Sequence, residues 1–179
     1  MIETRRSDQL QHYIDQLLHL AGDREPPVPV EQIAQLRGAR IRYVAFDGEL
    51  AGLLFEEQGQ IIIGVNMSHP KTRQRFTIAH ELGHLELHHL RAFHIDRNFR
   101  AVSTGKAGGA GQASGASEVE ANAFAAELLM PAALLLQDVQ GYPLDYEGDA
   151  LLATLAERYL VSPQAMLLRL TALGVVRPF

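Results

Sequence analysis

The chain is 179 residues long, with 47% apolar and 21% charged residues, the balance of an ordinary globular protein rather than a disordered or fibrous one. Its 16 Lys and Arg against 21 Asp and Glu leave a net charge of −5, which excludes a global positive field for nucleic acid or acidic lipid. No cysteine is present, so disulfides, thiolate nucleophiles and cysteine-based metal sites are all excluded, and any metal must be held by His, Asp or Glu.

The length suits one domain over 1–179. The opening Met1-Ile2-Glu3-Thr4-Arg5-Arg6-Ser7-Asp8 lacks a charged-then-apolar leader pattern, and no run approaches about 18 apolar residues, which predicts a cytoplasmic protein with no membrane partner. From Gln9 to Leu20, the residues Leu10, Tyr13, Ile14, Leu17 and Leu18 recur at helical spacing, predicting an amphipathic helix ended near Gly22. Pro26-Pro27 break the chain, and a short helix over Val30–Leu36 follows, closed by Gly38. Three strands are predicted next, Arg40–Phe46, Leu50–Glu56 and Gln60–Val65, rich in Ile, Val, Tyr and Phe. Asp47-Gly48 and Gln58-Gly59 are hairpin signals, so the expected sheet is a small antiparallel three-stranded meander.

Ser68 and Pro70 mark the start of a long helix running to about His89, with apolar stripes that bury most of its girth. Five of the eight histidines (His80, His84, His88, His89 and His94) fall within fifteen positions here. Between Ser103 and Ser117, twelve of fifteen residues are Gly, Ala or Ser, a composition that predicts a flexible loop. Glu118–Met130 then reads as a helix of about three and a half turns, and Pro131 opens a further short one. Helices over Ala150–Leu160 and from Ser162-Pro163 to Gly174 complete the chain as a pair with helix–turn–helix spacing over 150–179. Only Arg158, Arg169 and Arg177 are basic from Ala150 onward, and the last helix carries Met166, Leu167, Leu168, Leu170 and Leu173. Such a surface is too apolar to read a DNA groove, so packing or substrate binding is expected rather than direct DNA binding.

His80-Glu81-Leu82-Gly83-His84 is an H-E-x-x-H pattern on a predicted helix. Four residues advance about 400°, so the two imidazoles lie one above the other and can bind one ion. Glu81, rotated by about 100° from His80, stands beside such an ion, where it can take a proton from water. Zinc suits two imidazoles and a carboxylate with a fourth position left for water, whose pKa it lowers toward about 7. A chain of this composition holds roughly 0.025 such patterns by chance, which outweighs the bland alternative of two core or capping histidines. The metzincin extension requires Gly at 87 and His at 90, where this chain has Leu87 and Leu90. A carboxylate on the later helix is the remaining source of a third ligand. Glu118 shares a helix face with Asn122, which places Asn122 to hydrogen-bond a ligand imidazole, while Glu120 points some 200° away. Glu118 is preferred and Glu120 stays open. His88 reads as a helix-end group, His89 and His94 as surface residues, and Tyr142 and Tyr146 as packed loop tyrosines more than oxyanion donors.

Arg75-Phe76-Thr77-Ile78-Ala79-His80-Glu81-Leu82-Gly83-His84-Leu85, followed by Glu118-Val119-Glu120-Ala121-Asn122-Ala123-Phe124-Ala125-Ala126-Glu127-Leu128-Leu129-Met130-Pro131, resembles the ImmA/IrrE family of metallopeptidases over roughly Val30 to Met130. It is similar, more loosely, to the gluzincin pattern of H-E-x-x-H followed by Glu-x-x-Ala-acid, which supports Glu118. Asn122 stands where many relatives have a carboxylate. The resemblance implies a cytoplasmic zinc-dependent regulatory protease that cuts a helix-turn-helix repressor in a phage, mobile-element, stress or toxin–antitoxin circuit.

The expected protein is an α+β metallo-endopeptidase with a zincin-like core: N-terminal helices, an antiparallel three-stranded sheet packed on the H-E-x-x-H helix, a second ligand helix and a C-terminal helical pair. His80, His84 and Glu118 hold Zn2+, and Glu81 is the general base. An extended peptide substrate would add to the sheet edge beside Gln60–Val65. The rival is a non-catalytic zinc-containing module that binds a transcription regulator or DNA. Such a module would not need Glu81.

Overall fold

The computed structural model describes residues 2–22, 25–46, 50–87, 93–96, 115–140 and 148–176, and in it the most apolar of the three expected strands takes the middle of the sheet. That strand, β3 (Gln60–Asn66), buries every residue from Ile62 to Asn66, the continuous pattern of a strand covered on both faces. It pairs in parallel with β1 (Ala39–Val44), Ala39 opposite Ile61 and Val44 opposite Asn66. On its other side it pairs antiparallel with β2 (Gly52–Glu57), Gly52 opposite Val65 and Glu57 opposite Gln60. A fourth strand, β4 (Phe93–Asp96), lies antiparallel to β2, giving the order β1-β3-β2-β4.

Three expectations are corrected here. The sheet is mixed and four-stranded rather than an antiparallel three-stranded meander. β1 and β2 do not form the expected hairpin, because β3 lies between them and separates them by about two strand spacings, roughly 10 Å, which a two-residue turn does not span; residues 47–49 themselves lie outside the described residues. β3 also offers no edge to a substrate, since both of its sides are paired. The Gln58-Gly59 hairpin does form: Gln58 has φ 53° and Gly59 φ 78°, the paired positive values of a type I′ turn.

By internal contacts the chain divides into two compact units. The unit Val30–Ala125 holds α2 (Val30–Leu36), the sheet, α3 (Lys71–Glu86) and the first part of α4 (Gly115–Leu129). Its core includes Ile33, Leu54, Ile62, Ile63, Val65, Ile78, Leu82 and Phe124, and α3 packs on β2 and β3. The start of α3 differs from expectation. Pro70 occupies the cap position with no side-chain cap, while Ser68 donates its N–H to Asn66 Oδ1 at 3.0 Å. Asn66 Nδ2 in turn donates to Leu50 O at 2.8 Å, and Gln74 Nε2 reaches back to Met67 O and His69 O at 3.0 and 2.8 Å. The strand end and the first helical turn therefore satisfy this turn together.

The other unit comprises residues 1–29 and 126–179. It contains α1 (Ile2–Ala21), longer at its start than the apolar spacing predicts, with Ile14, Leu17 and Leu18 buried. It continues through the end of α4, α5 (Ala132–Gln140), α6 (Gly148–Tyr159) and α7 (Pro163–Ala172). Ser162 caps α7 as its sequence predicts, accepting the Ala165 N–H at 3.1 Å, with Pro163 in the first turn. Leu155, Ala156, Tyr159, Val161, Met166 and Leu170 are buried, so the helix–turn–helix-like spacing turns apolar side chains inward. Among the described residues no single helix is long and apolar enough to cross a membrane.

Candidate metal centre

α3 buries an unusual number of polar groups. His80, Glu81 and His84 are 1%, 0% and 0% exposed, where apolar side chains would ordinarily be found. The one-turn spacing sets the two imidazoles edge to face with centroids 4.6 Å apart, and their Nε2 atoms are 3.0 Å from each other. Glu118, in the first turn of α4, brings Oε2 to 3.4 Å from His80 Nε2 and Oε1 to 3.4 Å from His84 Nε2.

α4 begins at Gly115, three residues earlier than expected. Residues 115–117 are thus helical rather than part of the Gly/Ala/Ser loop, whose remainder lies outside the described residues. Ala116 and Ser117 are competent helix formers, so the helix extends past the small-residue composition. One turn on from Glu118, Asn122 Oδ1 sits 3.0 Å from His80 Nδ1. With Nδ1–H donating to that oxygen, the His80 Nε2 lone pair faces the centre, as a ligand nitrogen requires.

These three side chains, one ligand atom each within 4.8 Å of one another, could hold a metal ion. The donor chemistry fits a tetrahedral cation. Bonds of about 2.0–2.1 Å imply edges of about 3.3 Å between neighbouring donors; the two imidazole nitrogens are 3.0 Å apart, and each has a different Glu118 oxygen at 3.4 Å. The Glu118 side chain is the least buried of the three at 32% exposure. Glu120, the other candidate carboxylate, does not belong to the donor group. His88, His89, Tyr142 and Tyr146 lie outside the described residues, as does the His94 side chain.

Glu81 lies beside the donors on the same helix, and β2 closes on its carboxylate. A Cβ built on Gly52 would stand 2.3 Å from Thr77 Cγ2 and 3.5 Å from Glu81 Oε1. Any side chain at 52 would therefore intrude on the face of α3 that carries the carboxylate. Gly52 escapes a reading of the sequence for chemistry, although a glycine inside a strand pattern is a signal of close backbone approach.

Two ionic groups hold α3 at its ends. Arg37 forks onto Glu86, Nε to Oε1 at 2.7 Å and Nη2 to Oε2 at 3.0 Å. This offsets a carboxylate placed unfavourably at a helix C-terminus. Toward the N-terminus, Arg75 lies 3.6 Å from Glu31. Burial lowers the Arg75 pKa while Glu31 and Tyr43 raise it, and burial followed by the Glu31 charge pushes Tyr43 up. His69 is pushed down by burial and then by Arg73.

The model of the peptidase M78 family, described as the IrrE N-terminal-like domain, matches residues 34–171. A comparison with curated proteins gives no significant match. Among solved structures, the fold is similar to that of a Mycobacterium tuberculosis transcriptional regulator at 15% identity and a TM-score of 0.63. The match covers 91% of this chain and 46% of that one, so this chain spans less than half the regulator's length. At that identity the likeness is one of fold.

Proposed function

The chain belongs to the peptidase M78 family, the IrrE N-terminal-like domain, and from that membership together with the buried donor group we propose that it is a zinc-dependent endopeptidase. In this reading His80, His84 and Glu118 hold the zinc ion and Glu81 is the general base. The substrate is a protein, a helix-turn-helix repressor acting in the cytoplasm, and its cleavage relieves repression. The regulatory setting rests on the resemblance of the two motifs to ImmA/IrrE proteins.

One observation carries the catalytic reading. A fully buried carboxylate, Glu81, stands next to two buried imidazoles and is not one of the donors grouped with them. A site that used metal only to hold the fold would need the donors and not this extra ionisable group, whose burial is unfavourable. When bound, the ion supplies Lewis acidity that polarises a scissile carbonyl and brings the pKa of water toward neutrality. Asn122 fixes the His80 ring so that Nε2 points inward. The Glu81 carboxylate accepts a proton from the attacking water and delivers it to the leaving amine nitrogen.

The test is Glu81→Gln, incubated with zinc and the helix-turn-helix repressor encoded beside the protease. The variant is expected to keep its zinc and to lose cleavage by about 10²–10⁴-fold. Unchanged cleavage removes Glu81 from the reaction, and a wild-type protein that holds zinc without cutting the repressor favours the binding-module reading.

A further inference from the structure

The H-E-x-x-H chemistry leaves the residue before the second histidine open. Here it is glycine, the poorest helix former after proline, buried at the entry to the last turn of α3. Its surroundings give a reason. A Cβ built on Gly83 would lie 3.2 Å from Ala121 Cα, 3.2 Å from Ala121 O and 3.2 Å from Phe124 Cβ. Two of those atoms are backbone and the third is bonded directly to it, so no rotation of a side chain makes room. An added methyl fits only if α4 moves back by a few tenths of an ångström.

We propose that Gly83 is the spacing residue of the metal centre, setting how closely α4 crosses α3 and thereby how far Glu118 and Asn122 stand from the two imidazoles. This rests on the zinc reading given above. Ala121 lies between the two α4 groups in sequence, three residues after Glu118 and one before Asn122. A retreat of α4 at Ala121 therefore carries both away from α3 together. Separations of 3.4 Å from Glu118 to each Nε2 and 3.0 Å from Asn122 to His80 leave little slack in either contact. Gly83 is thus a positioning residue that never touches the ion or the substrate.

The experiment compares zinc affinity, by competition with a chromophoric chelator, in wild type, Gly83→Ala and Ile62→Val. It also compares the visible spectrum of each protein loaded with Co2+, whose intensity reports coordination geometry. Ile62, 1% exposed in β3, is a core position outside the centre. Gly83→Ala is expected to weaken zinc at least about tenfold, the scale of losing an outer-shell contact, and to alter the Co2+ spectrum. Ile62→Val is expected to lower the melting temperature while leaving affinity and spectrum unchanged.

Should Gly83→Ala fail to melt cooperatively, Ala121→Ser, which adds one atom to α4 at the same crossing, carries the test with a smaller loss expected. Wild-type affinity and spectrum in the spacing variant overturn the proposal, as does an equal loss in Ile62→Val. A wild-type protein that binds no zinc overturns the functional reading instead.

Discussion

Two helix pairs in this chain bury themselves by different means. α6 and α7 close over Leu155, Tyr159, Met166 and Leu170 and give their charges partners within the protein. Arg158 donates to Asp138 at 2.9 Å, and Arg169 is paired with the buried carboxylate of Glu127 and donates to Met130 O at 3.0 Å. α3 and α4 meet instead around two imidazoles and a carboxylate, with a further buried carboxylate alongside. Apolar burial, with these polar groups partnered inside the protein, accounts for the first pair. The second sacrifices apolar contact for ionisable groups that are unfavourable in a core unless a ligand completes them. Buried ionisable groups gathered as possible metal donors, more than shape or sequence spacing, separate the candidate metal pair from the other: both pairs carry a recognisable motif spacing, and in only one do the buried groups form a set that could hold an ion.

The comparison breaks most visibly at Glu118. Glu118→Ala is expected to weaken zinc binding by more than about 100-fold, beyond the loss typical of an outer-shell change. Glu120→Ala is expected to bind within about threefold of wild type. Metal analysis after dialysis against a weak chelator checks both, and full zinc in Glu118→Ala sinks the donor set. In the other pair, Leu155→Ala is expected to cost about 2–5 kcal/mol of stability by leaving a cavity, read as a shift of the urea midpoint at constant slope. Its zinc affinity should be unchanged, and a parallel loss of metal would show that the two regions are not independent.

The grouping of His80, His84 and Glu118 is legible in the sequence because its signal is local. A four-residue spacing puts two side chains on one helix face wherever that helix goes, and Glu118 and Asn122 share a face by the same rule. What that face meets is not local, which is why Glu120 stays open until α4 is placed. The sheet departs from expectation for a related reason. Asp47-Gly48 is a sound hairpin signal, yet the continuous burial of Ile62 to Asn66 drives β3 to the centre and parts β1 from β2. The unbroken apolar run from Ile61 to Ile63 fits such a strand, covered on both faces. β4 has only four residues and no turn signal ahead of it. Gly52 and Gly83 carry meaning only through the backbone that arrives against them, which no window of sequence contains.

The smallest expected effect sharpens the comparison from the apolar side. Tyr159 is fully buried, and its hydroxyl donates to Asp138 Oδ2 at 2.8 Å. Burial pushes its pKa above the usual tyrosine range, the bond to Asp138 and that residue's charge push the same way, and Arg158 opposes them. An unfolded tyrosine titrates near 10. Below that pH the phenol is neutral in both states and its contribution to stability is fully present. As pH rises through 10 toward the higher folded value, the unfolded chain loses its proton first and that contribution falls away. Tyr159→Phe is therefore expected to cost about 1 kcal/mol at pH 7, the net value of one hydrogen bond, and to flatten the decline in stability between pH 9.5 and 11. Asp138 keeps its bond to Arg158 in that variant, so no carboxylate is orphaned and the cost stays small. A decline as steep as wild type would place the alkaline sensitivity elsewhere. In this pair a buried hydroxyl has its partner within the protein, whereas the imidazoles of α3 stand with Glu118 as a group that could hold an ion.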